Sequence, residues 1–195
     1  MIRTLSATLL ALISINTFAA VSMPFGWYLE GNGGESRATG KSYPTTTSGK
    51  GFGWNADVGY KFSPFAAVEA GYSRFYATRI KDYLGNYIAQ DRHYAYIADA
   101  KGMYPLANTG LELFLKIGIT RINSKTTITN STLYNASGLS LNQGTYLSTG
   151  AFVGAGAAYA LTPNLSTNIQ WGRVKGNSHT GNIDLYTVGL NYLLA

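Results

Sequence analysis

Residues 111–122 read Leu-Glu-Leu-Phe-Leu-Lys-Ile-Gly-Ile-Thr-Arg-Ile, and this stretch decides the fold. Leucine or isoleucine occupies every odd position from Leu111 to Ile119, whereas Glu112, Lys116 and Thr120 stand at even positions. Successive side chains of a β-strand point to opposite faces. The stretch therefore predicts a strand with one apolar face and one mostly polar face.

Seven further segments repeat this alternation, and no segment beyond residue 22 predicts a helix. The eight predicted strands cover residues 26–33, 52–62, 65–76, 93–104, 111–122, 146–161, 165–173 and 183–194. Short turns follow the second, fourth and sixth strands, and the other connections are longer and polar. Short turns at one end and long loops at the other are typical of bacterial outer-membrane barrels. We predict an all-β fold, an eight-stranded antiparallel up-and-down transmembrane β-barrel.

The alternation by itself is equally compatible with a soluble lipid-carrier barrel, whose apolar face points inward. Two observations favour an apolar face turned towards lipid. The polar faces carry many glycines and few charges, which suits a crowded small lumen. Aromatic residues gather near strand ends on the apolar face, as in the girdles at two membrane interfaces. They are Trp27, Tyr60, Tyr72, Tyr94, Tyr104, Tyr159, Trp171 and Tyr192.

The first 22 residues have the features of a secretory signal peptide. Arg3 precedes an apolar stretch from Leu5 to Ile15, and small residues follow from Ala19 to Ser22. A stretch of this length is too short to span a bilayer as a helix, which takes about 20 apolar residues. We expect cleavage between residues 19 and 22, and one barrel domain over residues 23–195 in the bacterial outer membrane.

The composition limits the classes of function. Only 12% of residues are charged and none is Cys, so disulfides and thiolate metal sites are excluded. The net charge is +6, but Lys and Arg are spread along the chain, so nucleic-acid binding is not predicted. Two histidines without paired spacing predict no metal site, and no cofactor is expected.

Residues 159–171 read Tyr-Ala-Leu-Thr-Pro-Asn-Leu-Ser-Thr-Asn-Ile-Gln-Trp and resemble a hairpin of a known barrel family. The hairpin joins the sixth and seventh strands of the transmembrane domain of enterobacterial outer membrane protein A. Residues 26–28, 68–72 and 100–106 are similar to its first, third and fourth strands. The resemblance implies a barrel without the peptidoglycan-binding domain of larger relatives. It also implies periplasmic chaperones and the barrel-assembly machinery as partners, although Ala195 replaces the aromatic terminal residue of many relatives.

The same family closes its lumen with an internal ion-pair network that is proposed to gate a small conductance. Glu69 and Lys101 fall on two of its positions, while Ala158 and Asn168 stand where a second Glu and an Arg would be. Strand parity turns further charges inward, including Glu30 and Lys61. We predict a lumen network of Glu69, Lys101, Glu112, Lys116, Asp57 and Asp99. An eight-stranded barrel is only wide enough to be filled by side chains, so a diffusion pore is not predicted.

Three arginines share one position in the predicted barrel. Arg74, Arg121 and Arg173 lie on the lipid-facing side near the long-loop ends of their strands, about 20–25 Å from the short turns. Guanidinium groups match phosphate with bidentate hydrogen bonds. We hypothesise that the three contact lipopolysaccharide phosphates; the alternative is that they only reach water.

Two segments bear on other functions. Ser178 and His179 lie near Asp184, and small lipid A deacylase barrels use a Ser, a His and an acid, but their His-x-Ser-Asn arrangement is missing. Residues 123–144 form a long Ser/Thr/Asn-rich connection, of the kind on which binding usually resides. A host or cell-surface ligand is one interpretation of this connection, and a solvated loop is the other.

Three functions remain from the sequence. The favoured one is a non-enzymatic outer-membrane barrel that supports envelope integrity and displays surface loops for adhesion or host interaction. The alternative is a small-conductance channel that depends on Glu69 and Lys101. A lipid A-modifying enzyme that depends on His179 is the third.

Overall fold

The computed structural model describes residues 25–39, 47–107, 109–139, 141, 144–177 and 180–194. These residues form ten strands and one short helix, α1, at Ser131–Ser137. The strands are β1 (Gly26–Thr39), β2 (Thr47–Ser48), β3 (Lys50–Ser63), β4 (Ala66–Arg74), β5 (Thr78–Lys81), β6 (Tyr87–Pro105), β7 (Leu111–Ile128), β8 (Gly144–Ala160), β9 (Leu165–Val174) and β10 (Asn182–Leu193). The predicted signal peptide and Ala195 lie outside the described residues.

Eight of the strands close into one antiparallel barrel. Its order is β1-β3-β4-β6-β7-β8-β9-β10, and β10 returns to pair with β1 from Leu193 opposite Tyr28 to Asn182 opposite Thr39. Closure leaves no unpaired edge in the barrel wall. The two short strands β2 and β5 pair with each other, and β5 also pairs with β6 beyond the barrel body. The predicted eight-stranded up-and-down barrel is confirmed.

The wall has the predicted inside and outside. Leu115, Ile117 and Ile119 of β7 are 66–68% exposed, whereas Glu69 and Lys101 are at most 5% exposed. Without membrane lipid around it, such an apolar outer surface would face water at a large cost in free energy. The outward side of the barrel is therefore the lipid-facing side.

No helix among the described residues is long enough and apolar enough to span a membrane.

The strands extend further than predicted at the long-loop end. β6 begins at Tyr87 where the sequence predicted residue 93, and β7 continues to Ile128 where it predicted residue 122. The expectation that no helix forms was also wrong. The Asn130 side chain accepts a hydrogen bond from the Leu133 amide at the start of α1, and Gly138 ends the helix at φ 64°. These two caps stabilise a single short helix inside the predicted loop.

Candidate functional sites in the lumen and at the outer rim

Four buried charges meet in the middle of the lumen. Lys101 Nζ lies 3.2 Å from Glu30 Oε2 and 3.1 Å from Glu69 Oε1. Lys116 Nζ lies 3.1 Å from Glu30 Oε1 and 2.6 Å from Glu69 Oε2. We call these four residues the central ring. Each lysine contacts both carboxylates, so the two positive and two negative charges compensate one another.

Neighbouring polar groups hold the two carboxylates of the central ring. Tyr28 Oη donates to Glu69 Oε1 at 2.5 Å, and Asn32 Nδ2 donates to Glu30 Oε1 at 3.0 Å. The Tyr28 ring lies over Gly59, where a Cβ would come within 2.3 Å of it. Gly59 is therefore required for the position of Tyr28. The Lys101 ammonium also lies 4.5 Å from the centre of the Phe114 ring, within cation–π distance.

The other inward charges lie outside the ion pairs of the central ring, although Asp57 is directly opposite Glu30 and Asp99 directly opposite Glu69 on the adjacent strands. Lys61 Nζ is 3.3 Å from Glu112 Oε2, nearer the short-turn end. Asp57 and Asp99 line a lumen cavity of about 20 Å³, which has room for about one water molecule. Asp57 accepts a hydrogen bond from Asn55.

The ring contains a residue that the predicted network did not include. Glu30 of β1 contacts both lysines, although sequence parity indicated only that it faces inward. Ala158, at a position where the family resemblance implied a charged residue, packs against an apolar cluster instead. Parity identifies which side chains enter the lumen, but contacts across the lumen depend on strand tilt, which the sequence does not reveal.

Two apolar layers enclose the ionic level of the lumen. The lower layer, towards the short turns, comprises Tyr28, Ala67, Met103, Phe114 and Leu193. The upper layer comprises Phe75, Ala95, Ile97, Ile122, Phe152, Val174, Ile183 and Leu185. Every member is at most 8% exposed. The expectation of a polar lumen is therefore wrong at these two levels, because a small sealed interior is filled by side chains of either class.

A buried polar cluster lies above the upper layer. Ser124 Oγ donates to Asp91 Oδ1 at 2.8 Å, and His93 Nε2 is 3.6 Å from Asp91 Oδ2. Of the lipid-modifying candidates, Ser178 and His179 lie outside the described residues. Within the described part of the chain, no cluster of three His, Cys, Asp or Glu side chains could hold a metal ion.

The three predicted lipid-contact arginines occupy different surroundings. Arg173 Nε and Nη2 donate to the two carboxylate oxygens of Asp184 at 2.7 and 2.8 Å, so this guanidinium is engaged by the protein. Arg121 is exposed on β7, opposite Tyr96 and Thr149 on the adjacent strands. Arg74 lines a cleft.

That cleft, of about 620 Å³, opens on the outside of the barrel where β4 ends and β5 begins. β6 changes its partner strand at Arg92 and His93, and the outer face is left open there. Four basic side chains line the opening, Arg74, Arg79, Arg92 and Lys125, and we call this site the rim cleft. Sequence reasoning missed three of them because it placed residues 77–92 and 123–145 in loops.

Aromatic rings form the membrane side of the rim cleft, and three of the four line the cleft itself. Their ring centres are 5.5–6.2 Å apart in consecutive contacts. The rings belong to Trp54, Tyr72, Tyr94 and Tyr96. Arg74 follows Tyr72 by two residues on β4, and Arg92 precedes Tyr94 by two on β6. Two residues of strand span about 6–7 Å, so the basic side chains lie just beyond the aromatic girdle.

The closed antiparallel wall, its apolar outer face, the girdles and the filled lumen define the class of the protein: it is a bacterial outer-membrane β-barrel. Within that class, the chain belongs to the outer membrane protein β-barrel domain family, whose sequence model matches residues 5–193.

Solved structures of small outer-membrane barrels share this fold. Ail, the attachment invasion locus protein of Yersinia pestis, is 14% identical with a TM-score of 0.57, covering 88% of this chain and 100% of its own. Neisserial surface protein A is 16% identical with a TM-score of 0.60, and the match covers 87% of this chain and 97% of that protein. OprG of Pseudomonas aeruginosa is 13% identical with a TM-score of 0.62, and the match covers 87% of this chain and 96% of that protein. No curated protein sequence matches this chain.

Proposed function

We propose that this protein is a non-enzymatic outer-membrane barrel that supports envelope integrity and presents its long-loop end to other surfaces. The observation that carries the proposal is the β5–β6 hairpin, which projects beyond the barrel body with two large apolar side chains at its tip. Tyr83 is 75% exposed and Leu84 is 87% exposed. Apolar side chains held in water on an ordered turn are suited to contact with a partner surface.

The turn at the hairpin tip is held by one carboxylate. Asp82 Oδ1 accepts from the amides of Leu84 and Asn86 at 2.9 and 2.7 Å, and Oδ2 accepts from Asn86 Nδ2 at 3.0 Å. These hydrogen bonds, led by that of the Asn86 side chain, lower the pKa of Asp82 below its ordinary value. The turn therefore displays Tyr83 and Leu84 in a defined orientation.

A separate cluster of buried apolar side chains supports the hairpin at its base. Ile80, Ile88, Ala89 and Leu139 are buried together, and Leu133 and Tyr134 of α1 pack against them. This cluster lies outside the barrel lumen and joins the hairpin to the connection between β7 and β8. A contact surface built on it would be rigid. The fold has a precedent for attachment in Ail, which its name describes as an attachment protein.

The adhesion proposal is tested by changing the tip alone. Cells that display Tyr83→Ser/Leu84→Ser are expected to lose most of the adhesion to host cells that the wild-type barrel confers. The matched control is Leu161→Ser, an exposed apolar residue at the short-turn end, which should adhere like wild type. Equal adhesion by the tip variant, at equal surface amounts of folded barrel, would overturn the proposal.

The alternative function is a small-conductance channel, and the central ring is the feature that favours it. Charged side chains in a lumen attract ions, but the two apolar layers oppose their passage. Steady conductance of the purified barrel in planar bilayers, altered by Glu69→Gln, would support the channel. A silent bilayer would leave the surface-contact function.

Contact with lipopolysaccharide belongs to the same proposal. The sequence-based set Arg74, Arg121 and Arg173 lies on the outward face. Replacement of all three by Gln is expected to reduce the lipopolysaccharide retained by the purified barrel. Unchanged retention would refute this contact.

A further inference from the structure

The basic side chains of the rim cleft have no acidic partner within the protein. None of Arg74, Arg79, Arg92 and Lys125 forms an ion pair with any residue that the structure describes. Arg92 has a neutral acceptor, since its Nη2 and Nε lie 2.8 and 3.0 Å from the Gln90 amide when that amide turns its oxygen towards them. Four positive charges therefore share one cleft.

The whole chain contains nine acidic residues, and every one of them lies in the described part of the chain. Glu30 and Glu69 belong to the central ring, and Asp57 and Asp99 line the lumen cavity. Glu112 pairs with Lys61, Glu35 with Arg37 and Asp184 with Arg173. Asp82 holds the hairpin turn, and Asp91 accepts a hydrogen bond from Ser124. None of these nine acidic side chains forms an ion pair with the four basic side chains of the cleft, so an anion from outside the protein would meet positive charge that no ion pair neutralises.

The register between β6 and β7 places two basic side chains of the cleft next to each other, and their repulsion costs free energy. Arg92 of β6 lies directly opposite Lys125 of β7 on the outward face. Like charges directly opposite each other on adjacent strands are destabilising. An anion bound between them would remove this repulsion. The arrangement is therefore expected where a ligand carries the negative charge.

The position of the cleft indicates which anion. Its basic side chains begin two residues beyond Tyr72 and Tyr94 of the aromatic girdle, which marks the membrane interface. At that level the available anions are the phosphates of lipid head groups. The volume of about 620 Å³ accommodates sugar as well as phosphate. Three guanidinium groups supply the bidentate donors that phosphate oxygens accept.

We propose that the rim cleft binds the phosphorylated sugar head group of an outer-leaflet glycolipid, with Arg74, Arg79 and Arg92 on the phosphates and Lys125 as a further cation. This inference rests on the proposed lipopolysaccharide contact and assigns the part of that contact made by Arg74 to one cleft. Arg121 and Arg173 are not part of the site, since Arg173 is engaged by Asp184 and Arg121 does not line the cleft.

The test uses the full barrel in phosphatidylcholine nanodiscs that contain either diphosphorylated lipid A or its dephosphorylated form. The variant is Arg74→Gln/Arg92→Gln, and the matched control is Lys50→Gln/Lys175→Gln, which removes the same charge from exposed side chains at the long-loop end that do not line the cleft. We expect the cleft variant to bind diphosphorylated lipid A at least about tenfold more weakly and the control to bind within about twofold of wild type. Dephosphorylated lipid A should bind weakly to every form.

Three outcomes would count against the proposal, and they are distinguishable. Equal loss in the cleft variant and the control would overturn the cleft and leave only a diffuse charge effect. A wild-type barrel that does not prefer phosphorylated lipid A would overturn the lipopolysaccharide contact itself. A soluble sulfated oligosaccharide that displaces lipid A and binds more tightly would assign the cleft to an external glycan. Arg92→Lys should restore part of the affinity, and heat-modifiable gel migration confirms that each variant is folded.

Discussion

The charges inside the barrel and the charges at its outer rim follow opposite arrangements. In the central ring, each of the two lysines contacts both glutamates, and all four side chains are buried. At the rim cleft, four cations line one opening, and no acidic side chain in the described part of the chain forms an ion pair with them. Compensated buried charge stabilises a particular arrangement of strands. Uncompensated charge at the membrane interface requires a partner from outside the protein.

The largest expected effect comes from unbalancing the central ring. Glu30→Gln leaves the two buried lysines in contact with one carboxylate, that of Glu69, and we expect it to lower the free energy of unfolding by about 3–5 kcal/mol. The matched variant is Glu35→Gln on the same strand, where Glu35 pairs with Arg37 and Lys50 at the surface. Its expected cost is much smaller, because water and salt screen a surface pair. Urea unfolding in lipid vesicles measures the free energy of unfolding of both variants. Similar losses in the two variants would mean that the central ring contributes no more to stability than the surface pair.

The upper apolar layer is expected to contribute nearly as much as the ring that it covers. Phe152→Ala opens a cavity beside Ile97 and Leu185 and should cost about 3–4 kcal/mol. Phe52→Ala is the comparison, because Phe52 is 69% exposed on the outer face. It should cost much less in the same unfolding measurement. A greater loss for Phe52 would mean that the lumen packing contributes little.

The rim cleft should respond in the opposite direction when no anionic lipid is present. In vesicles of phosphatidylcholine alone at low salt, Arg92→Gln relieves repulsion with Lys125 and should raise the free energy of unfolding by about 0.2–1 kcal/mol. Added salt should shrink the difference. Arg121→Gln, which faces Tyr96 and Thr149, should leave stability unchanged. A loss of stability for Arg92→Gln would show that its charge is already compensated.

The smallest expected effect concerns the hairpin that carries Arg79 to the cleft. The pKa of Asp82 is lower in the folded protein than in the unfolded chain, where it is about 3.9. The carboxylate therefore stabilises the turn fully at pH values above about 3.9, and this stabilisation is lost as the pH falls through the lower folded-state pKa. At pH 7, Asp82→Asn should speed hydrogen exchange of the Leu84 and Asn86 amides severalfold. Tyr83→Ser keeps the turn bonds and should not. Unchanged exchange in Asp82→Asn would assign the turn to backbone contacts alone.

The sequence predicted the parts of the fold that depend on membrane burial. Strand alternation between residues 111 and 122 holds because one face meets lipid and the other meets the lumen. Beyond the hydrocarbon core, at residues 87–92 and 123–128, neither face meets lipid chains, and the period of two no longer separates apolar from polar side chains. β6 and β7 continue there through pairing with β5 and with each other, which no local pattern reveals.

The two sites were predictable to different extents. Parity turned Glu69, Lys101 and Lys116 inward, but the contacts of Glu30 with both lysines depend on how tilted strands bring distant residues to one level. The rim cleft depends on the break between β4 and β5, which leaves the outer face open at Arg92. Both features are set by strand geometry, which a single sequence encodes only indirectly.

The pairing of β1 with β10 also determines when the barrel can form. The first strand finds one of its two neighbours only in the last, from Leu193 opposite Tyr28 to Asn182 opposite Thr39. A chain still emerging from its ribosome or translocation channel therefore has an open sheet with two unpaired edges. Closure must follow release of the final strand, and contacts between such distant residues form slowly. Until that moment the exposed edges depend on the cell for protection against aggregation.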